Sequence, residues 1–225
     1  VEKAGISSEG MLVDDNYFTT LAFVNLTPSG ERSFSFARKP GADTQISKDE
    51  VKYDLIKNAK IFHVGSLSMT DEPVRTATKR CLDVAKEAGC MITFDPNLRP
   101  PLWGSLDDAK AAMEYVFPYC DVLKISDNEI QWLTGEDDYT KGVKKIRELK
   151  DIPLILVSMG KEGSRAYCNG QMVEVKPFLQ ENTIETTGAG DTFCASALNY
   201  VLEHGLTDLT ETDLSNLLCC KNADR

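Results

Sequence analysis

Apolar and polar positions change their spacing along this chain, and the change separates two kinds of structure. Residues 33–36 alternate Ser and Phe, which is the period of a half-buried antiparallel strand. An apolar run precedes them at residues 17–26, and the turn-forming sequence TPSGE lies between the two runs. The pattern predicts a β-hairpin, either at the edge of the main sheet or as a lid over a ligand.

From residue 47 onward, short apolar runs alternate with segments whose apolar residues recur every three or four positions. The predicted strands are KIFHVG, CMITFDP, DVLKI and PLILVSMG, and the predicted helices cover residues 47–58, 71–88, 107–117 and 139–150. Two helix starts, Ser47 with Glu50 and Ser126 with Glu129, have capping-box spacing. Apolar strands that alternate with amphipathic helices indicate a mainly parallel sheet covered on both faces.

Length and charge limit the classes of protein that fit. The chain has 225 residues, of which 42% are hydrophobic, so it can bury a large core. We predict a single domain over residues 1–225, in which residues 12–43 form the hairpin. The net charge of −10 repels phosphate backbones and anionic lipids, so we expect neither a nucleic-acid nor a membrane partner.

The seven cysteines follow no metal-binding or disulfide pattern. No Cys-x-x-Cys pair occurs, the count is odd, and most of these residues lie in apolar segments. Reduced, buried cysteines are typical of cytoplasmic proteins. We therefore expect a cytoplasmic location.

Four loops lie where a parallel sheet of this kind binds its ligands. They directly follow a predicted strand or open a helix, and they are DPNLRP (95–100), SDNE (126–129), SMGKEG (158–163) and TTGAGD (186–191). In open α/β sheets, ligands bind beyond the carboxyl ends of the strands. These loops are therefore the candidates for the functional site.

The loop TTGAGD combines flexible backbone with a carboxylate at the start of a helix. Gly188 and Gly190 lack a Cβ, so the backbone can turn tightly and approach a ligand closely. The first amides of the following helix have no intrahelical acceptor and can hold an anion. Asp191 beside such a site could take a proton from an attacking hydroxyl. The alternative is that Asp191 caps the helix and the glycines only form a turn.

Several of these motifs together resemble one known family. No Walker A loop or protein-kinase motif set occurs. TTGAGDTF instead resembles the C-terminal signature of the ribokinase-like (PfkB-type) carbohydrate kinases. The segments FARKPGAD (36–43), FDPNLRPPLW (94–103) and LKISDNEIQWLTG (123–135) resemble its fructokinase branch. The resemblance runs along nearly the whole chain and implies a three-layer α/β/α sandwich with a β-sheet lid.

The resemblance also implies roles for individual residues. Asp191 matches the catalytic base, and the backbone of Gly188, Ala189 and Gly190 matches the anion hole for the transferred phosphoryl group. The loop SMGKEG matches the nucleotide loop, whose key positions are Ser158, Gly160 and Gly163, and Asn222 lies where the family frames the adenine. Without the resemblance, SMGKEG would be read as an ordinary turn between strands, and Asn222 as an unremarkable helix residue.

Metal sites are implied at two places. Glu129 matches a glutamate that orders water around Mg²⁺, and Ser126 stands where many members have Asn. Both residues could instead serve only as the capping box. Glu185 and Thr187 match the loop that holds a monovalent cation. Because most members have Asp where this chain has Glu185, we predict weak or absent activation by K⁺.

Sugar binding is implied for three polar residues. Asn97 and Arg99 follow a predicted strand, and Arg38 lies on the hairpin. Either arginine could instead be an ordinary surface residue. Relative to the family, we expect the chain to lack an N-terminal portion with a Gly-Gly sugar-binding segment, and also the strands after Asn222.

The sequence therefore predicts an ATP- and Mg²⁺-dependent sugar kinase, with fructose as the expected acceptor. A kinase of 2-keto-3-deoxygluconate, ribose or a nucleoside is the nearest alternative. A kinase-fold protein that has lost catalysis and only binds partners is the alternative from another class. A homodimer formed through the lid is a further expectation.

Overall fold

The computed structural model describes residues 1–26, 32–178, 187–206 and 208–219. The chain divides into two compact units. The first comprises Val1–Ile92 and Asn97–Tyr119, and the second comprises Thr93–Pro96 and Cys120–Arg225. The assignment of the chain to a single kinase domain stays a prediction.

The predicted hairpin is present in the first unit. Strands β1 (Leu21–Leu26) and β2 (Arg32–Ala37) pair antiparallel, with Val24 opposite Phe34. Phe34 and Phe36 are half-buried, and the alternating Ser33 and Ser35 are exposed, as the pattern predicts. The turn itself falls on residues 27–31, outside the described residues. Phe23 and Val24 of β1 remain exposed, so the hairpin keeps apolar surface.

The first unit also contains the helices α1 (Tyr53–Lys57), α2 (Val74–Glu87) and α3 (Leu106–Val116), the strand β3 (Ile61–Gly65) and the first residues of β4 (Met91–Asp95). Helix α2 buries Val74, Ala77 and Leu82 on one face, as apolar residues spaced three to five apart predict. It ends before Gly89, which has a φ of 73°. Ala88, the last residue of the predicted helix, is the C-cap residue and is exposed.

The predicted helix start at Ser47 is wrong. The Glu50 carboxylate does accept the N–H of Ser47, at 2.8 Å. The segment is nevertheless a turn closed by the Glu50 N–H on the Ser47 carbonyl, at 3.2 Å. Helix α1 begins six residues later, where Ile56 is buried. A capping pattern sets a local turn, but a short helix persists only where tertiary packing supports it.

The second unit has strands in the order β4-β5-β6-β7-β8, where β5 is Val122–Ser126, β6 Leu154–Ser158, β7 Ser164–Cys168 and β8 Gln171–Val175. The β4–β5 and β5–β6 pairs are parallel, and the last two pairs are antiparallel. Its helices are α4 (Asp127–Thr134), α5 (Tyr139–Leu149), α6 (Ala189–His204) and α7 (Glu211–Leu218). The predicted α/β class with a separate small antiparallel sheet is confirmed.

Strands β7 and β8 were not predicted, although the sequence carries a signal for them. They are joined by Asn169 and Gly170, which have φ values of 50° and 75°. Asn-Gly with both residues at positive φ is the preferred two-residue hairpin turn. The sequence AYCNGQMV therefore contained the information, and β7 and β8 extend the sheet beyond β6.

Candidate active site

The N-terminus of α6 presents unpaired backbone amides. Gly188 is the N-cap residue, with a φ of 81°, a conformation that disfavours residues with a Cβ. The Thr192 N–H closes the first turn on the Gly188 carbonyl at 2.8 Å. Among the described residues, no acceptor is found for the N–H groups of Ala189, Gly190 and Asp191. These donors and the helix dipole favour an anion at this end.

Asp191 is the third residue of α6, and its side chain is exposed. Its carboxylate has no hydrogen bond to the residues that the structure describes. The N-cap position belongs to Gly188, and no side-chain cap is formed there. The structure thus leaves the Asp191 carboxylate beside the unpaired amides, with no role in capping the described part of the helix.

A buried ion pair lies next to the same turn. Lys124 of β5 and Asp95 of β4 are 7% and 6% exposed, and the ammonium is 3.0 Å from Asp95 Oδ2. An ideal Cβ built on Gly190 would lie 3.2 Å from Lys124 Nζ. Lys124 was not among the site residues predicted from the sequence. The sequence does place this charged residue within the apolar run DVLKI, where an unpaired charge would be very costly, and that placement indicates a buried partner.

Ser126 and Glu129 meet at the end of β5. Glu129 Oε2 accepts the Ser126 N–H at 2.9 Å and the Ser126 hydroxyl at 2.8 Å. The Ser126 hydroxyl in turn accepts the Glu129 N–H at 3.3 Å. Glu129 is buried and Ser126 half-buried. The capping box is therefore formed at the start of α4, and the Mg²⁺ roles of both residues stay predictions.

The predicted nucleotide loop follows the neighbouring strand. Ser126 and Ser158 are partners in the parallel register of β5 and β6, so these two strand ends are adjacent. Residues Gly160–Glu162 form a 3-10 turn, closed by the Gly163 N–H on the Gly160 carbonyl at 3.3 Å, and the Met159 N–H donates back to the Gly163 carbonyl across the loop at 2.9 Å. Gly160 has a φ of 53° and no atom within 4 Å of an added Cβ. The loop is therefore open at Gly160.

Gly163 is tightly packed. Its φ is 108°, and an added Cβ would lie 2.1 Å from the Val175 carbonyl oxygen of β8. Glycine is thus required here both by conformation and by the close approach of β8. This packing explains the glycine without a ligand, and a nucleotide role for Gly163 stays a prediction.

Cys194 lies one turn beyond Asp191 on α6. The pKa of its thiol is raised to about 11, mainly by burial and also by the negative charges of Asp95 and Asp191, against a smaller lowering by Lys124. The thiol is therefore protonated at neutral pH and acts as a small apolar group. Cys194 is therefore not a candidate proton acceptor on this face of α6, and the role of Asp191 as the base stays a prediction.

Two predicted sugar-binding residues belong to the first unit and follow β4. Asn97 has a φ of 48°, a left-handed conformation that Asn tolerates better than most residues. The half-buried Arg99 places its guanidinium carbon 5.4 Å from the ring centroid of Phe34 on β2. Its Nη1 donates to the carbonyl of Leu98 at 3.2 Å. Arg99 is therefore held by the hairpin.

Arg38, also in the first unit, is buried and multiply bonded. Its Nε donates to Asp43 at 2.7 Å, Nη1 to the Thr70 hydroxyl at 2.7 Å, and Nη2 to the Leu67 carbonyl at 2.8 Å. These bonds tie the end of β2 to two separate turns. Arg38 is therefore not an ordinary solvated surface arginine, which was the alternative interpretation. Sugar binding by Arg38 stays a prediction.

Two predicted site residues, Glu185 and Asn222, fall outside the described residues. Thr187, directly before the N-cap of α6, is exposed. Over the described ranges, no group of three or more His, Cys, Asp or Glu side chains forms a metal-binding cluster. No helix among those ranges has the length and apolar content to cross a bilayer.

Comparison with known proteins agrees with these features. Residues 1–213 match the family model described as pfkB family carbohydrate kinase. The chain is 37% identical over 223 residues to probable fructokinase-4 of Arabidopsis thaliana, covering 99% of this chain and 68% of that protein. It is 43% identical over 195 residues to probable fructokinase-6, chloroplastic, of the same plant, covering 86% of this chain and 50% of that protein.

Solved structures of fructokinases have a fold similar to that of this chain. A fructokinase from Vibrio cholerae with bound fructose, ADP and potassium ion has a TM-score of 0.84 and 26% identity, covering 98% of this chain and 70% of that one. A fructokinase from Xylella fastidiosa with bound ATP has a TM-score of 0.83 and 27% identity, covering 96% and 70%. The predicted fold and family resemblance are confirmed, and the chain spans between half and about two thirds of its curated relatives.

Proposed function

Because the chain belongs to the pfkB family of carbohydrate kinases, we propose that the protein transfers the γ-phosphoryl group of ATP to a hydroxyl of fructose. The observation that carries the proposal is the exposed carboxylate of Asp191 beside the first amides of α6, since neither has a hydrogen-bond partner among the described residues. The names of its relatives support fructose as the acceptor, since fructokinases are 36% to 43% identical to this chain.

Asp191 is the proposed general base. A carboxylate beside an anion-binding helix end is electrostatically unfavourable unless it has a task, and accepting the proton of the attacking hydroxyl is such a task. Its exposure leaves it accessible to a sugar. The amides of Ala189 and Gly190 would donate to the equatorial oxygens of the group in transfer, over which the negative charge is spread in the transition state.

The residues present fit a nucleotide polyphosphate. ATP supplies the phosphoryl group when bound. The unpaired amides of α6 suit its phosphate oxygens. The open turn at Gly160, with Ser158 at the adjacent strand end, lets backbone approach the nucleotide closely. Asn222 is proposed to frame the adenine.

Glu129 is the proposed residue for Mg²⁺, acting through water, with Ser126 beside it. Mg²⁺ retains several waters and takes few direct carboxylate ligands, which agrees with the absence of a dense acidic cluster in the described ranges. The Vibrio cholerae fructokinase was crystallised with potassium in one structure and calcium in another. We propose Mg²⁺ as the catalytic ion here, and K⁺ as at most a weak activator at Glu185 and Thr187.

Asn97 and Arg99 are the proposed sugar-binding residues. The planar guanidinium of Arg99 presents donors that suit hydroxyl or phosphate oxygens, and its stacking on Phe34 fixes its orientation. Arg38 is proposed to act at the sugar through the network that anchors β2, since its donors already bind Asp43, Thr70 and Leu67.

We also propose that the protein forms a homodimer through the exposed apolar face of the hairpin. A two-stranded sheet alone is marginally stable in water, and Leu21, Phe23 and Val24 of β1 are 51%, 54% and 47% exposed. A second copy of this hairpin would cover them. Sedimentation of the full-length protein should give a dimer, and Phe23→Ser should shift it to monomer.

We also propose a cytoplasmic location. The cysteines in the described ranges form no disulfide, as expected in a reducing compartment. Fractionation of cells that express the full-length protein would test this, and recovery in an organelle, as the name of one relative indicates for that protein, would contradict it.

The decisive experiment compares Asp191→Asn with the wild-type, full-length protein. Asn matches Asp in size but cannot accept the proton, so turnover should fall by about 10²- to 10⁴-fold. Affinity for ATP should stay the same or rise, because a negative charge is removed beside the anion site. Asp107→Asn is the matched control, since Asp107 is an exposed residue in the first turn of α3, and its activity should be unchanged.

The acceptor is tested separately. Fructose, ribose, 2-keto-3-deoxygluconate and adenosine should be compared by kcat/KM, and fructose should be the best. Another leading acceptor would overturn the fructose assignment and retain the kinase class. Absence of turnover with every acceptor, with ATP still bound, would favour the kinase-fold protein that has lost catalysis.

A further inference from the structure

Lys124 and Asp95 form a buried ion pair that has no role in the mechanism proposed above. The register of β4 and β5 pairs Thr93 with Val122 and Phe94 with Leu123, so the next step brings Asp95 opposite Lys124. The ammonium lies 3.0 Å from Asp95 Oδ2 and 3.2 Å from Oδ1. Both side chains are 9% exposed. The pairing is thus set by the parallel strands themselves.

A buried ion pair is weak evidence for a role in stability. Removing two charges from water is costly, and apolar replacements of such pairs are often neutral or stabilising. Val122, which shares the face of β5 that Lys124 occupies, is 1% exposed and uncharged, so this face of the strand also packs apolar residues. The presence of a lysine in this strand therefore calls for an explanation other than folding.

Gly190 provides that explanation. Unlike Gly188, it does not have a positive φ, so backbone conformation does not require glycine. An added Cβ would instead lie 3.2 Å from Lys124 Nζ and 3.8 Å from Cε, which is tighter than ordinary contact. Glycine at this position keeps the first turn of α6 in close approach to the ammonium.

The ammonium, and not the Asp95 carboxylate, is the end of the ion pair that faces this turn, since an added Gly190 Cβ would meet Lys124 atoms and no Asp95 atom within 4 Å. The pair therefore adds a positive local potential to the partial charges of the helix end. The Gly190 amide has no acceptor among the described residues, and the helix dipole contributes only about half an elementary charge. The whole chain carries −10, and Asp191 adds a negative charge at the same turn. An anion bound here therefore needs a local cation, and Lys124 supplies one whose position is fixed by Asp95.

We propose that Lys124 is a phosphate-binding residue for phosphoryl transfer, in which its ammonium, held in position by Asp95 next to Gly190, stabilises the terminal phosphates of the nucleotide at the N-terminus of α6. This inference rests on the proposed function and extends its anion site from backbone amides to a buried side chain. The ligand class that it predicts is a nucleoside di- or triphosphate, and a nucleoside without phosphates gains nothing from Lys124.

Two variants of the full-length protein test the role. Lys124→Gln removes the charge and keeps an N–H donor for Asp95. Lys124→Met with Asp95→Asn removes both charges, so that no unpaired ion stays buried even if the single variant is unstable. Lys145→Met is the matched control, because Lys145 also pairs with a carboxylate, Glu136 at 2.6 Å, but is 48% exposed.

Turnover and binding give separate readouts. Both Lys124 variants should lose about 10²-fold or more in kcat, as when one transition-state donor is removed. Their affinity for a non-hydrolysable ATP analogue should fall by roughly tenfold or more, whereas adenosine affinity should be unchanged. Lys145→Met should resemble wild type in every assay. A pair that serves the fold alone would alter melting temperature and leave the ratio of analogue to adenosine affinity unchanged.

The outcomes separate this inference from the function on which it rests. If wild type turns over and the double variant, folded by its melting temperature, stays within threefold of it, the role of Lys124 is overturned. If wild type phosphorylates no acceptor, the proposed function fails. The binding comparison then still decides whether Lys124 recognises phosphate, and equal analogue affinity in wild type and variants would refute it.

Discussion

The guanidinium of Arg99 lies over the ring of Phe34, with 5.4 Å between its central carbon and the ring centroid. Phe34 itself stacks on Phe36 of the same strand, with 6.2 Å between their centroids. The hairpin therefore orients an arginine that follows β4. Under the proposal that Arg99 binds the sugar, this contact lets β2 affect substrate affinity without touching the substrate itself.

Phe34→Leu should raise the KM for the sugar and leave the KM for ATP unchanged. Leucine fills a similar apolar space but has no π face, so Arg99 loses a cation–π interaction of about 0.5–1 kcal/mol. The expected increase in KM is about two- to fivefold, measured by steady-state kinetics with fructose.

Phe36→Leu is the control for this prediction. Phe36 lies two residues along the same strand and is also half-buried, but the cation–π contact of Arg99 in the described structure is with the ring of Phe34. Equal effects of the two substitutions would show that the hairpin acts only through its stability. A change in the KM for ATP would contradict the assignment of Arg99 to the sugar.

Gly163→Ala should strongly destabilise the protein. The new Cβ would lie 2.1 Å from the Val175 carbonyl, and the φ of 108° is strained for alanine. The free energy of unfolding should fall by more than about 2 kcal/mol, as measured by urea denaturation. Gly160→Ala is the matched control, because its Cβ would meet no atom within 4 Å. Its cost should be about 1 kcal/mol, from the left-handed backbone alone. Equal losses for both would show that β8 moves aside.

Local patterns were sufficient to predict most helices and strands of this chain. The alternation around Phe34 and the apolar runs of β5 and β6 each report burial, which depends on the side chains in one segment. The predicted start of α1 at Ser47 was wrong for the converse reason. The hydrogen bond from Ser47 to Glu50 is local, but extension of the helix depends on packing that begins at Ile56.

The site could be predicted only where its residues share one loop. Gly188, Gly190 and Asp191 are neighbours in sequence, so their motif was visible. The pairing of Lys124 with Asp95 depends on the register of two strands, and the closeness of Lys124 to Gly190 depends on where α6 packs. Similarly, the stacking of Arg99 on Phe34 joins residues far apart in sequence. Single-sequence patterns carry no such long-range information.

Potassium should activate the enzyme weakly or not at all. Glu185, which lies outside the described residues, stands by the family resemblance where most members have Asp, and glutamate is one methylene longer than aspartate. Rates of the full-length protein in KCl and NaCl at matched ionic strength should be nearly equal. Glu185→Asp should increase the ratio of the two rates. A several-fold effect of K⁺ on the wild type would show that the longer side chain still binds the ion.

Glu129→Gln separates metal binding from helix capping. A glutamine oxygen can still accept the Ser126 N–H and hydroxyl that Glu129 now accepts at 2.9 and 2.8 Å, so the capping box is retained. The negative charge that would orient Mg²⁺-bound water is lost. The Mg²⁺ concentration for half-maximal rate should therefore rise by about tenfold or more, with little change in melting temperature. Asp213→Asn is the matched control, because Asp213 closes the capping box of α7 with Thr210. That variant should keep the wild-type dependence on Mg²⁺. If Glu129→Gln also keeps it, Glu129 serves the backbone of α4 and the ion is held elsewhere.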